Sequence, residues 1–318
     1  MSEETRGAGV AEPPSEAENG RVRAGAGGDG RGPAGAKPEP QRKAPPHSVL
    51  REYFESLVVT AVMALFGMTF VVQAVKVPTG SMQNTIQIGD HLLVNKFIFA
   101  PGPLVPFLPQ REIRRGDIIV FKYPGKYQGE ERFRDSGVND TSRDNLPYKT
   151  NYVKRVIGLP GDVVEVRDTK VFINGQPLGE RVVTALNGVD DPETPGNEAD
   201  APLQISDDSV PPGEEDYTVY FDPRKRAEEM ERNRGKIPGD GRFIVPEGWY
   251  FAMGDNRDNS LDSRFWGYVP RSAIIGRAMF VYWSYDESAP RSDAPAPFNF
   301  ISDFVYNTRW ARTGTLVK

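Results

Sequence analysis

The chain has 318 residues, a formal net charge of −5 and 38% apolar side chains, with 32 glycines and 28 prolines. Cysteine is absent, which excludes disulfides, thiolate nucleophiles and iron–sulfur ligation, and two histidines, His47 and His91, are too few for a multi-imidazole zinc site. The weakly acidic balance gives no support to nucleic-acid binding, which needs a basic stripe.

Residues 1–50 are rich in Gly, Ala, Pro, Glu and Arg and show no hydrophobic period. Such a segment buries too little apolar surface to offset its ordering entropy, so a disordered tail is predicted. It lacks the apolar core of a secretory signal. Leu57–Val75 then runs for 19 residues without a charge, about 28 Å as a helix and close to the ~30 Å hydrocarbon layer. A permanent transmembrane anchor over residues 51–76 is predicted. Arg42, Lys43 and Arg51 precede it, against Lys76 and Lys96 after it, so the N-terminus is expected in the cytoplasm and residues 77–318 across the membrane.

Beyond the span the pattern becomes β-like. Short runs of Val, Ile, Phe and Tyr at Asp117–Phe121, Val153–Ile157, Asp162–Val166, Lys170–Ile173, Arg242–Val245, Trp249–Met253 and Ile274–Trp283 are punctuated by Gly and Pro, and Asn174-Gly175 marks a hairpin turn. The polar stretches 124–148 and 184–216 are expected as surface loops, and a solvated helix is expected from Asp222 to Gly235. The proline-broken apolar run 97–109 reads either as a segment dipping into the bilayer interface or as an ordinary buried loop, with Trp310 able to join either arrangement.

The segment after the span, Val77-Pro78-Thr79-Gly80-Ser81-Met82-Gln83-Asn84-Thr85-Ile86, places a hydroxyl on a Pro/Gly-shaped turn. Alone it reads as a polar turn or as a nucleophile. A nucleophilic serine needs a base. His47 lies on the wrong side of the span, and His91, ten residues on, has no evident orienting partner and reads as a strand-end surface residue. A lysine serves only where burial lowers its pKa by several units. In Tyr152-Val153-Lys154-Arg155-Val156-Ile157, strand alternation puts Lys154 on the face of Tyr152 and Val156, either towards solvent or towards a core.

Four ordered boxes resemble the bacterial type I signal peptidases, the Ser/Lys endopeptidases of the S26 family. They are Pro78–Met82, Arg115–Phe121, Tyr152–Asp162 and Gly254-Asp255-Asn256-Arg257-Asp258-Asn259-Ser260-Leu261-Asp262-Ser263-Arg264-Phe265-Trp266-Gly267, all following an anchor. The resemblance implies a mainly β catalytic domain of short bent strands, with an inserted second β subdomain and one preceding transmembrane helix. It implies Ser81 as nucleophile, Lys154 as general base, and an oxyanion hole from the Ser81 N–H and the Thr79 hydroxyl. Ser260 is expected to orient the lysine amine, with Asp255–Arg155 and Asp262–Arg264 as bracing ion pairs and Gly254 and Asn256 shaping the turn. Val77, Pro78, Met82, Ile86, Tyr152 and Val153 are expected to line small pockets for small side chains at −1 and −3 of exported preproteins, bound by strand addition.

Two departures stand out. Thr79 replaces a frequent serine and keeps the hydroxyl, and Asn84 replaces a frequent proline, for which only a less rigid turn is expected. The resemblance calls for no metal or organic cofactor. Rival readings are a Ser/Lys hydrolase of another substrate class and a non-enzymatic membrane-anchored β-domain.

Overall fold

The computed structural model describes residues 49–100, 102, 109–134, 138–167, 170–186, 204–205, 217–222, 241–293, 295–296 and 298–318. Residues 1–48 of the expected tail, 187–203 and 206–216 of the second expected loop, the body of the helix expected after Asp222, and positions 101 and 103–108 of the apolar run lie outside these residues, while Val49 and Leu50, counted in the tail, are helical.

Helix α1 (Val49–Phe66) buries none of its residues and continues as a π-helical turn over Gly67–Val71. Among the described residues, Val49–Val71 is the one helix long and apolar enough to cross a membrane, with a mean hydropathy of 1.9. The helix was expected to reach Val75, and here the structure corrects the sequence. Strand β1 (Val72–Lys76) is extended and pairs antiparallel with β2 (Asp90–Asn95), from Val72 opposite Asn95 to Lys76 opposite His91. Val75 packs with Leu92 and Val94 in a protein core. One unbroken apolar run thus serves two environments, and hydropathy carries no mark where one gives way to the other.

Among the described residues, seven strands form an antiparallel sheet. Its order is β1, β2, β14 (Ile274–Ser284), β3 (Ile118–Lys122), β4 (Asn151–Gly158), β12 (Trp249–Met253) and β13 (Val269–Pro270). Register shifts interrupt the β14–β2, β14–β3 and β12–β4 ladders, and such bulges bend strands and increase twist. A second antiparallel sheet has the order β11 (Arg242–Ile244), β5 (Val163–Arg167), β6 (Lys170–Ile173) and β7 (Gln176–Pro177). Its β6–β7 hairpin turns through Asn174 and Gly175 with φ of 52° and 81°, the left-handed pair that Asn-Gly adopts readily. A third sheet joins β8 (Arg181–Leu186) in parallel to β10 (Thr218–Phe221) and antiparallel to β9 (Gln204–Ile205). The chain is mainly β, and each strand read from the sequence lies within or beside an observed one.

The two expected loops need correction. Thr184 to Leu186 belong to β8, and Gln204–Ile205 pair with it. The stretch 124–148 is not a free surface loop: it holds the short helix α2 (Glu131–Arg134), buries Phe133 against Phe243 and Tyr268, and buries Val138 in the cluster containing Phe121, Tyr123 and Trp266. Its polarity hid two apolar anchors. Two further helices went unread in the sequence, α3 (Ser263–Trp266) and α4 (Phe298–Asn307).

Strand β4 separates two cores. Tyr152 and Val156 pack with Ile119, Phe121 and Trp266, while Val153 packs with Val77, Met82 and Ile86. Period-two alternation therefore aims Lys154 into the interior beside Tyr152 and Val156.

Asn84 sits at φ 63°. Proline is locked near −65°, so the asparagine here is not a looser proline but a residue for a left-handed turn. Asn84→Pro is expected to destabilise the domain by more than about 1 kcal/mol, while Asn84→Gly stays near neutral. Thermal unfolding of the detergent-solubilised chain reads both.

Candidate active site

Ser81 lies in a single 3₁₀ turn, Gly80–Met82, entered from Thr79 in extended conformation. Met82 and Ile86 are fully buried below it and fix it to the core. The loop after β12 holds the turn from the other side. Asn256 donates its backbone N–H to the Ser81 carbonyl (3.1 Å) and its side-chain amide to the Gly80 carbonyl (3.1 Å). A Cβ on Gly254 would fall 2.4 Å from the Ser81 carbonyl oxygen and 2.3 Å from Ser260 Oγ, so only glycine permits this approach.

Lys154 Nζ lies 2.5 Å from Ser81 Oγ. The lysine is 3% exposed and the serine 9%. Burial is the main influence on the amine and pulls its pKa down from 10.5 to about 8; the Asp262 carboxylate opposes the fall and Arg264 reinforces it. At that value about a tenth to a fifth of the amine is neutral near physiological pH, against well under 1% for a free lysine.

Two buried ion pairs flank the dyad. Arg155 makes a two-pronged contact with Asp255 at 2.8 and 2.7 Å, both side chains almost wholly buried, and Thr85 Oγ1 donates to the same carboxylate at 2.7 Å. Asp262 accepts from the Gly254 N–H (3.0 Å) and from Arg264 Nε and Nη2 (2.8 and 2.9 Å). Burial opposes ionisation of Asp262, and the attraction and hydrogen bonds of Arg264 outweigh it, holding the carboxyl below its ordinary pKa. Ser260 is buried at the site, but its Oγ makes no hydrogen bond with Lys154; its polar influence falls on Asp262. His91 sits in β2, stacked on Trp283 with ring centroids 4.7 Å apart, and makes no hydrogen bond with Ser81.

A cleft of about 970 Å³ opens over the pair, lined by Val77, Pro78, Thr79, Met82, Tyr152 and Val153. Ile86, expected in this lining, is fully buried in the core behind Met82 and does not reach the cleft. Thr79 is exposed to the cleft beside Ser81.

A family model described as signal peptidase, peptidase S26, matches residues 50–283. The chain belongs to this family. Signal peptidase I of Pseudomonas fluorescens is 35% identical over 255 residues, covering 75% of this chain and 74% of its own. Signal peptidase I of Aquifex aeolicus is 28% identical over 311 residues, covering 83% of this chain and 98% of its own. A solved signal peptidase I from Enterococcus faecalis is 28% identical, covers 52% of this chain and 97% of its own, and superposes with a TM-score of 0.26. The chain is an S26 serine peptidase whose reaction is the removal of signal peptides.

Two parts of this peptidase's site escaped sequence reading. One is a cleft wall from Val138, Asn139 and Ser142–Asn145, which lines the same cleft as Leu261 and Phe265; its polar residues carry no periodicity, so they read as solvent-facing. The other is the buried Arg257–Glu180 pair at 2.8 and 2.5 Å, which ties the loop after β12 to the chain entering β8. No local signal joins residues so far apart in sequence.

Asn256 touches the nucleophile's turn without touching its hydroxyl, so it acts as a positioning residue. Asn256→Ala is expected to lower kcat roughly tenfold or more, with a smaller change in KM, as read by steady-state kinetics on a purified preprotein.

Proposed function

We propose that Ser81 is the acylating nucleophile and Lys154 the general base of this signal peptidase. The observation that supports this is the 2.5 Å separation of Nζ and Oγ in a buried site that lowers the amine's pKa. Neutral Lys154 accepts the Ser81 proton as Oγ attacks the scissile carbonyl. The resulting ammonium donates to the leaving amine, and the same nitrogen then activates the water that cleaves the acyl-enzyme. The Ser81 N–H and the Thr79 hydroxyl face the developing oxyanion, where each donor is worth about 10²–10³ in rate. Gly254, Asn256, Arg155–Asp255 and Arg264–Asp262 hold the two reacting groups in register.

In this reading Val49–Val71 is the anchor, the N-terminal side is cytoplasmic and the β domain works on the far side of the membrane. The substrate is the extended cleavage region of an exported preprotein. It lies beside Val77–Thr79 and the first residues of β4, with its small −1 and −3 side chains against Val77, Met82 and Val153.

Ser81→Ala and Lys154→Met are each expected to reduce preprotein processing by at least about 10³-fold while preserving the fold, as read by gel-based cleavage alongside circular dichroism. Complementation of a strain depleted of its own signal peptidase reads the same outcome in cells. Processing by Lys154→Met at the normal rate would overturn the lysine's role.

The base works only when deprotonated, so the expected pH dependence has a definite sign. Below a pKa of about 8 the amine is protonated and kcat/KM falls about tenfold per pH unit; above it the rate reaches a plateau. A pH–rate profile flat from pH 6 to 9 would contradict this, where those limits are roughly two units below and one above the lysine's transition.

A further inference from the structure

The wall formed by residues 138–145 has no part in the chemistry above, yet it is built rather than loose. Tyr123 donates its hydroxyl to Asp140 Oδ1 (2.7 Å), and the Lys126 N–H donates to Asp140 Oδ2 (3.3 Å). Tyr152, two residues before the lysine on β4, donates its hydroxyl to Asn145 Oδ1 (2.6 Å). Between these latches the backbone is closed on itself, with the Ser142 N–H donating to the Asn139 carbonyl (3.1 Å) and the Asn145 N–H to the Ser142 carbonyl (3.0 Å). Val138 is buried beneath.

This frame presents two side chains to the cleft, Arg143 and Asp144, both exposed. Neither makes a hydrogen bond or ion pair with another described residue, although they are adjacent and of opposite charge. The rest of the cleft is mixed: Val77, Pro78, Met82, Val153, Leu261 and Phe265 are apolar, while Thr79, Thr150, Asn151, Asn259 and Ser260 are polar and Asp258 is a further carboxylate. Arg143 and Asp144 add exposed charge to this mixed lining and sort substrates by a property that small apolar pockets do not read. Their place follows from β4: a substrate strand lying along it moves about 3.3 Å per residue. Tyr152 and Asn151, where the wall begins, are therefore roughly 7–10 Å from the Lys154 position.

We propose that the 138–145 wall is a second specificity element that reads charged substrate side chains at positions away from −1 and −3, Arg143 taking an acidic side chain and Asp144 a basic one. The inference rests on the Ser81/Lys154 peptidase reading and adds a selectivity that small −1 and −3 pockets do not supply. The latches through Asp140 and Asn145 are separate from the two reading residues, so substitutions at 143 and 144 leave the frame intact.

The test uses the full chain in detergent and a preprotein carrying Glu, Gln or Lys singly at each position within about six residues of the cut. The readout is the ratio of kcat/KM for Glu against Lys at each position, which a general loss of folding or activity does not move. The wild type is expected to show a position-specific ratio away from one. Arg143→Glu is expected to shift that ratio towards Lys by roughly three- to fivefold, the scale of an exposed ion pair, and Asp144→Lys to shift a ratio towards Glu. Both shifts should shrink at high salt. A wild-type ratio of one throughout, or ratios unmoved by either variant, would overturn the proposal. Cleavage of the Gln preprotein at the normal rate by Ser81→Ala or Lys154→Met would instead remove the Ser81/Lys154 reading, and the wall's role with it.

Discussion

An amine kept out of water beside a hydroxyl is the constraint that the rest of the site serves. Burial lowers the pKa of Lys154, but two carboxylates lie close enough to oppose that fall, Asp262 and Asp255. Arg264 engages Asp262 and Arg155 engages Asp255, each through two guanidinium contacts. Arg264 also acts on the amine directly and reinforces the fall, so desolvation remains the largest influence. Buried ion pairs contribute little net stability, so the presence of two around one lysine is best understood as electrostatic tuning combined with precise support of the backbone.

That support extends outward through the smaller sheets. Arg155 lies over the ring of Tyr217, 4.0 Å from its centroid, and the Tyr220 N–H donates to the Asp255 carbonyl (2.7 Å) while its own carbonyl accepts from Arg257 (2.8 Å). Strand β10 therefore docks along the loop that carries Asp255, Asn256 and Arg257. The Arg257–Glu180 pair fixes the same loop to the segment entering β8. The β8–β10 sheet stands away from the chemistry in sequence, yet it sets the loop that presses Asn256 against the Ser81 turn.

Much of this was legible in the sequence where local periodicity and chemistry coincide. Alternation in Tyr152–Val156 gave the lysine's face, because the β4 side chains divide between two cores, and Asn174-Gly175 gave a hairpin, because both residues tolerate positive φ. Legibility failed where tertiary packing overrides a local signal. The apolar run through Val75 looked wholly lipid-facing although its last residues form a paired strand. Ile86 looked like pocket lining although it lies in the core behind Met82. The polar residues 139–145 looked solvated although they wall a cleft, since exposure to a groove and exposure to bulk water leave the same trace in composition. Asn84 was read as a relaxed proline, and its opposite backbone hand is visible only in three dimensions.

Strand β1 begins at the residue after the helical span and is hydrogen-bonded along its length to β2. With the span in the bilayer, as proposed, no slack tether separates the anchor from the catalyst, and Ser81 follows Val71 by only ten residues. The domain then behaves less like a buoy on a rope than like a fixed gantry. The height of the nucleophile above the lipid is set by chain geometry, at most about 35 Å for ten extended residues. Preproteins would accordingly be gauged by how far their cleavage point emerges from the bilayer as well as by what it is made of.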